Sequence, residues 1–237
     1  MNKLTFTLKK NFFILTLILT LDFEAFAQSN EKPKVAFCQR PEGCVFYDHP
    51  FSYKQLDLMF NYLGDYENRK GILTFVTDAT GERMNYPDRK RSPKELNEYF
   101  GGKGEPLVVP WSLSIHQNIQ PEDGKWTIAN EKPQVRNCPK GVETQLEKAR
   151  MIESGNKVFD KPFSPFTLLP AREAKWFPVE PNIYKCILQL TESDVVTTVY
   201  DVKVLTPKTM EGTMNYTFKI PNLPTCRIKV NFKYTKN

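Results

Sequence analysis

Apolar and polar residues alternate most regularly between Ile183 and Tyr234. Successive side chains of a strand point to opposite faces, so a half-buried strand shows a period of two. Met210, Gly212, Met214, Tyr216, Phe218 and Ile220 share one face of a strand, and Glu211, Thr213, Asn215, Thr217 and Lys219 share the other. The last strand repeats the pattern: Cys226, Ile228, Val230, Phe232 and Tyr234 face one way, and Arg227, Lys229, Asn231 and Lys233 the other. Upstream, Tyr184, Cys186, Leu188 and Leu190 alternate less strictly, and Val196, Thr198, Tyr200, Val202 and Val204 line one side of a Val-, Thr- and Tyr-rich run. Short turn-like breaks at 192–194, 206–208 and 221–224 predict antiparallel neighbours. The expected fold is therefore α+β and β-rich, with a C-terminal four-stranded antiparallel meander covered by one or more helices.

The first half mixes helical and strand patterns. Ser52 with Gln55 forms a capping box, Leu56, Met59, Phe60 and Leu63 recur at helical spacing, and Gly64 is the expected stop. Ile72 to Thr77 is a short apolar strand, and Arg83 to Tyr86 returns as its partner. A second helix starts at Ser92, with Pro93 in its first turn and Glu95 completing another capping box, and Gly101-Gly102 ends it. The basic triplet Arg89-Lys90-Arg91 before it is either a solvated loop or a contact for an anionic surface.

Glycines and prolines between Gly101 and Pro110 suggest a boundary, giving a region 28–104 and a β-rich domain 105–237. Trp111 to Ile115 and Trp126 to Ala129 are expected strands. Residues 139–153 carry a modest helical stripe and are expected to cover the sheet. The segment 159–177 is rich in aromatics and proline and is expected to pack across an edge or rim of the sheet.

Composition adds a location. Residues 1–27 read as a secretory signal peptide: three lysines, an apolar run from Phe12 to Leu21, then Ala25-Phe26-Ala27 as a cleavage site, leaving Gln28 first. That run is too short to span a bilayer, which takes roughly 20 residues. The expected destination is periplasmic or extracellular. A net charge of +6 is a mild basic excess, far from the dense stripe of a nucleic-acid binder, so no nucleic-acid partner is expected. Export makes disulfides expected among Cys38, Cys44, Cys138, Cys186 and Cys226. Cys38 and Cys44 enclose a turn and suit a local bridge. Cys186 and Cys226 share a facing, but lie on the first and fourth strands, so Cys138 competes for either. One cysteine is left over.

No motif declares a reaction. The nucleophile elbow, the phosphate-cradling glycine loop and His-Glu-x-x-His do not occur. No cofactor or metal is expected, and the few histidines and cysteines lack ligand spacing. Three functional readings remain. The first is a non-catalytic exported protein that binds an apolar or amphipathic ligand or an envelope partner, with Met210, Met214, Tyr216, Phe218, Phe163, Phe166 and Trp176 as the ligand-lining residues. The second is a structural or assembly protein that acts through surface contacts, using the odd cysteine or a sheet edge. The third is a hydrolase without a local motif, around Asp48 and His49 with Cys44 nearby.

Overall fold

The computed structural model describes residues 32–78, 80–113, 118–142, 152–169, 171, 173–189, 196–219 and 224–237. From Pro33 onward the chain forms a single compact unit. It contains two sheets. The smaller has the order β4-β3-β1-β2-β5, from β1 (Lys34–Gln39), β2 (Gly43–Asp48), β3 (Ile72–Thr77), β4 (Arg83–Asp88) and β5 (Leu107–Pro110). β1 pairs antiparallel with β2 and parallel with β3, and β2 pairs parallel with β5. Parallel neighbours need long crossovers, and helices supply them. Helices α1 (Tyr53–Phe60) and α2 (Asp65–Arg69) lie between β2 and β3, and α3 (Pro93–Tyr99) lies between β4 and β5. β5 belongs to this sheet although it follows the boundary expected at 104.

Both predicted capping boxes form. Ser52 and Gln55 bond reciprocally at α1, as do Ser92 and Glu95 at α3, where Pro93 occupies the first turn. α1 stops earlier than Gly64, because Asn61 takes the left-handed conformation and closes it. Gly64 instead precedes α2 and offers no side-chain cap. Asp57 fills that role from α1. Its carboxylate accepts from the backbone N–H of Gly64 (2.7 Å), Tyr66 (2.8 Å) and Glu67 (3.3 Å) while itself buried. Asp57→Ala would leave these donors without partners, at a cost of about 1–3 kcal/mol. Urea unfolding should show a loss in that range, and a loss too small to resolve would rule out the capping role.

The larger sheet has the order β8-β6-β13-β12-β11-β10-β9. Its strands are β6 (Gly124–Asn130), β7 (Gln134–Arg136), β8 (Gly155–Lys157), β9 (Ala174–Glu180), β10 (Ile183–Gln189), β11 (Val196–Thr206), β12 (Thr209–Phe218) and β13 (Cys226–Lys236). The four strands read from alternation, β10 to β13, run as consecutive antiparallel neighbours. β6 and β7 both pair with β13, separated by residues 131–133. At Gly212 the chain passes so close to its neighbours that an added Cβ would sit 2.0 Å from the Asp201 carbonyl oxygen and 2.7 Å from the Phe232 ring. Only glycine fits there.

The inner face of this sheet is core. Met210, Met214, Tyr216, Ile228 and Tyr234 are buried with Trp126, Phe159, Phe163, Leu168, Leu169 and Trp176. The cover on this face, among the described residues, includes the chain around Ile152 to Leu169, where the helical piece is the short 3-10 turn at Pro165–Thr167. Most of the helix expected over 139–153 lies outside the described residues. Helical cover is found on the opposite face, where α1 packs against β10. There Phe177, Val179 and Ile187 meet Val35, Leu73 and Phe75 of the small sheet with Phe51, Leu56 and Met59 from the α1 region. β9 thus feeds both cores, with Trp176 on one side and Phe177 on the other.

Two disulfides form, Cys38–Cys44 and Cys138–Cys226. The second follows from pairing: β7 lies on β13 with Arg136 opposite Arg227, which brings Cys138 beside Cys226. Cys186 is the unpaired one, and it is fully buried.

Candidate functional site on the outer face of the large sheet

The ligand-lining residues expected from sequence are mostly packed away. Met210, Met214, Tyr216, Phe163 and Trp176 are all buried in one core, and Phe218 is partly buried against it. Phe166 is on the surface, at 46% exposure, and does not join them. Burial pushes the Tyr216 and Tyr200 hydroxyls up, and Tyr234 up to about 12, as an apolar interior does. Burial also pushes the Cys186 thiol up. A thiol held there is neither a nucleophile nor a surface contact, which removes the odd cysteine from the assembly reading.

Of the residues in the hydrolase reading, Asp48 ends β2 and His49 follows it. Cys44 is tied to Cys38. His49 is buried, its Nδ1 accepts from the Phe51 backbone N–H at 3.2 Å, and its ring lies beside Phe51 and Trp111. His116 lies outside the described residues. Among the described residues no group of three or more His, Cys, Asp or Glu is gathered as metal ligands.

The open surface is the part of the other face that α1 and the second core leave uncovered, chiefly on β11–β13, and strand register decides what it carries. One row across the sheet reads Lys203, Glu211, Lys233. The next reads Lys185, Asp201, Thr213, Asn231. Then come Val199, Asn215, Lys229 and Gln134, and finally Thr197, Thr217, Arg227 and Arg136. Two grooves meet on this face at Asp201, one of about 560 Å³ across β11–β13 and one of about 470 Å³ running between α1 and β7.

Asp201 is the polar centre. Lys185 pairs with it, Thr213 Oγ1 donates at 3.2 Å and Asn215 Nδ2 at 3.4 Å. The Lys185 ammonium also sits 5.7 Å from the centre of the Phe60 ring on α1. At the β7 end of the face the rim is cationic. Arg136 and Arg227 stand directly opposite one another on β7 and β13, both exposed, with Lys229 beside them. Among the described residues neither arginine makes an ion pair. Like charges in directly opposed positions destabilise a strand pair, so folding alone does not account for this pair.

Sequence reasoning recognised Arg227, Lys229, Asn231 and Lys233 as the wet face of their strand. It missed their convergence with Arg136 and Asp201, because register between strands is not written in any single strand. Comparison of the chain with known protein families, with curated proteins and with solved structures finds no match.

Proposed function

We propose that this protein is a non-catalytic, exported binding protein whose large sheet receives an extended acidic segment of an envelope partner on its outer face. The observation that carries this reading is the opposed pair Arg136 and Arg227, with Lys229, at the rim of a groove floored by hydrogen-bonding side chains. An incoming carboxylate row relieves the repulsion that folding leaves in place, and guanidinium forks match carboxylates bidentately. Two disulfides agree with an oxidising compartment, and no helix among the described residues is long and apolar enough to cross a membrane.

The test uses a fluorescent oligoglutamate peptide at low salt. Binding should weaken as salt rises, since contacts between exposed charges are screened. The triple variant Arg136→Gln, Arg227→Gln, Lys229→Gln should bind at least about tenfold more weakly, a loss of about 1.4 kcal/mol. Equal binding by the triple variant would sink the proposal. The substitutions lie on exposed positions, so the fold should persist.

A second reading keeps a ligand in the interior, and one observation favours it. The Trp176 indole N–H and the Tyr184 hydroxyl are buried and have no hydrogen-bond partner among the described residues. Buried polar groups are ordinarily satisfied, so an acceptor-bearing guest or ordered water suits them. Native mass spectrometry of protein purified from an oxidising compartment decides. A reproducible extra mass supports a guest, and a bare mass removes it.

A further inference from the structure

At the far side of the small sheet an exposed tyrosine carries two arginines. The Arg91 guanidinium carbon lies 3.8 Å from the centre of the Tyr99 ring, and that of Arg40 lies 4.9 Å from the same centre and 5.7 Å from that of Phe100. Tyr99 is 48% exposed. Arg91 has a carboxylate neighbour, since its Nη1 donates to Asp88 at 2.6 Å. Arg40 makes no ion pair among the described residues. Tyr86 belongs to the same cluster: its hydroxyl is pushed up by burial and by Asp88, against the pull of Arg91 and Arg40.

The scaffold holds these groups in place. Arg40 opens the turn between β1 and β2, which the Cys38–Cys44 bridge closes. The turn is fastened to α3, the helix that carries Tyr99. The Cys44 backbone N–H donates to Asn97 Oδ1 at 2.8 Å, and Asn97 Nδ2 donates to the Gly104 carbonyl at 3.2 Å. Gly101 lets the helix end and the turn approach: it has a φ of +95°, and a Cβ there would lie 2.6 Å from the Pro41 carbonyl oxygen. Two long cationic side chains are thus positioned on one ring before any ligand arrives, which lowers the entropy lost on binding. Glu95 lies within electrostatic reach of Arg91 as Asp88 does, so among the described residues the cation without a carboxylate beside it is Arg40.

We propose that Arg40 and Arg91, stacked on Tyr99, form a binding site for a tetrahedral oxyanion, a phosphate or sulfate ester group. The basic triplet 89–91, of which Arg91 is the last member, acquires a role here in its third residue. The ester's oxygens accept from the free edges of the two guanidiniums, and the Tyr99 and Tyr86 hydroxyls stand alongside as further donors. This site is separate from the large-sheet groove and does not depend on the reading given for it.

Three probes test it on the full chain: inorganic phosphate, inorganic sulfate, and vesicles of phosphatidic acid in phosphatidylcholine with pure phosphatidylcholine as reference. Arginine side-chain NMR resonances report site occupancy, and vesicle sedimentation reports the lipid. Arg40→Gln should weaken the affinity about tenfold or more, because charge-assisted hydrogen bonds to an anion are the strong ones. Tyr99→Phe should keep most of it. Arg40 is exposed and makes no hydrogen bond that folding needs, so its variant should unfold like the parent. Binding of the free anions that Arg40→Gln weakens supports a site for the ester group itself. Binding confined to phosphatidic acid vesicles, and weakened by the same variant, supports a headgroup source. Absence of binding by all three probes, or binding indifferent to Arg40→Gln, overturns the site. The Arg136, Arg227, Lys229 triple variant should leave this binding unchanged, which keeps the two proposals separable.

Discussion

Phe177→Ala is expected to destabilise the protein by about 3–5 kcal/mol, the usual range for removing a buried aromatic ring. Phe177 is fully buried, and it is where the two sheets meet. Its ring centre lies 4.8 Å from that of Trp111, 5.2 Å from Phe60, 5.3 Å from Phe75 and 5.5 Å from Phe51. These partners come from β3 of the small sheet, from α1, and from the chain flanking β2 and β5. Alanine would open a void that several separate elements would have to move to fill, so collapse is unfavourable and the cost belongs at the upper end of the range. Phe177→Leu keeps most of the volume and should cost much less. Urea denaturation with both fluorescence and far-UV circular dichroism checks this. Loss under about 1 kcal/mol for alanine would show that Phe177 does not join the sheets.

The strands that the sequence reveals are those with one wet and one dry face. β12 and β13 alternate cleanly because their outer residues, Glu211 to Thr217 and Arg227 to Lys233, stay in contact with solvent. β9 has no such face. Trp176 enters one core and Phe177 the other, so its sequence reads as an aromatic run with no period. β5 failed for the opposite reason. Leu107 and Val108 are exposed on an edge strand, at 61% and 64%, and no alternation marks an edge that buries so little. β7 is exposed at all three positions and carries no apolar signal beyond Val135, although its pairing with β13 places both Arg136 and Cys138.

The same logic governs the sites. Local chemistry was legible: both capping boxes and the Cys38–Cys44 bridge depend on residues within seven positions of one another. Convergent chemistry was not. Asp201 meets Lys185, Thr213 and Asn215 through strand register, and Arg40 meets Tyr99 through a helix docked on a hairpin. The apolar stripe of Met210, Met214 and Tyr216 was visible, but a period of two describes a core and a ligand cup equally well. In the structure those side chains are buried in one core with Phe163, Leu168 and Trp176.

Breaking the Cys138–Cys226 bridge should cost more than breaking Cys38–Cys44, although each is a single bond of the same kind. The first spans 88 residues and the second 6. A cross-link stabilises chiefly by restricting the unfolded chain, and its effect grows with the logarithm of the loop it closes. That relation gives about 4–5 kcal/mol for the long loop and about 2 kcal/mol for the short one. Serine replacement at both Cys138 and Cys226 should therefore lower the urea midpoint by roughly twice as much as replacement at both Cys38 and Cys44. Cys186 supplies the internal control. It is buried and unbridged, so Cys186→Ala removes a small apolar volume and no cross-link, and should cost less than loss of the long bridge. If the long and short bridges proved equal in urea, restriction of the unfolded chain would not be how the long one acts, and its contribution would have to lie in the packing of β7 against β13.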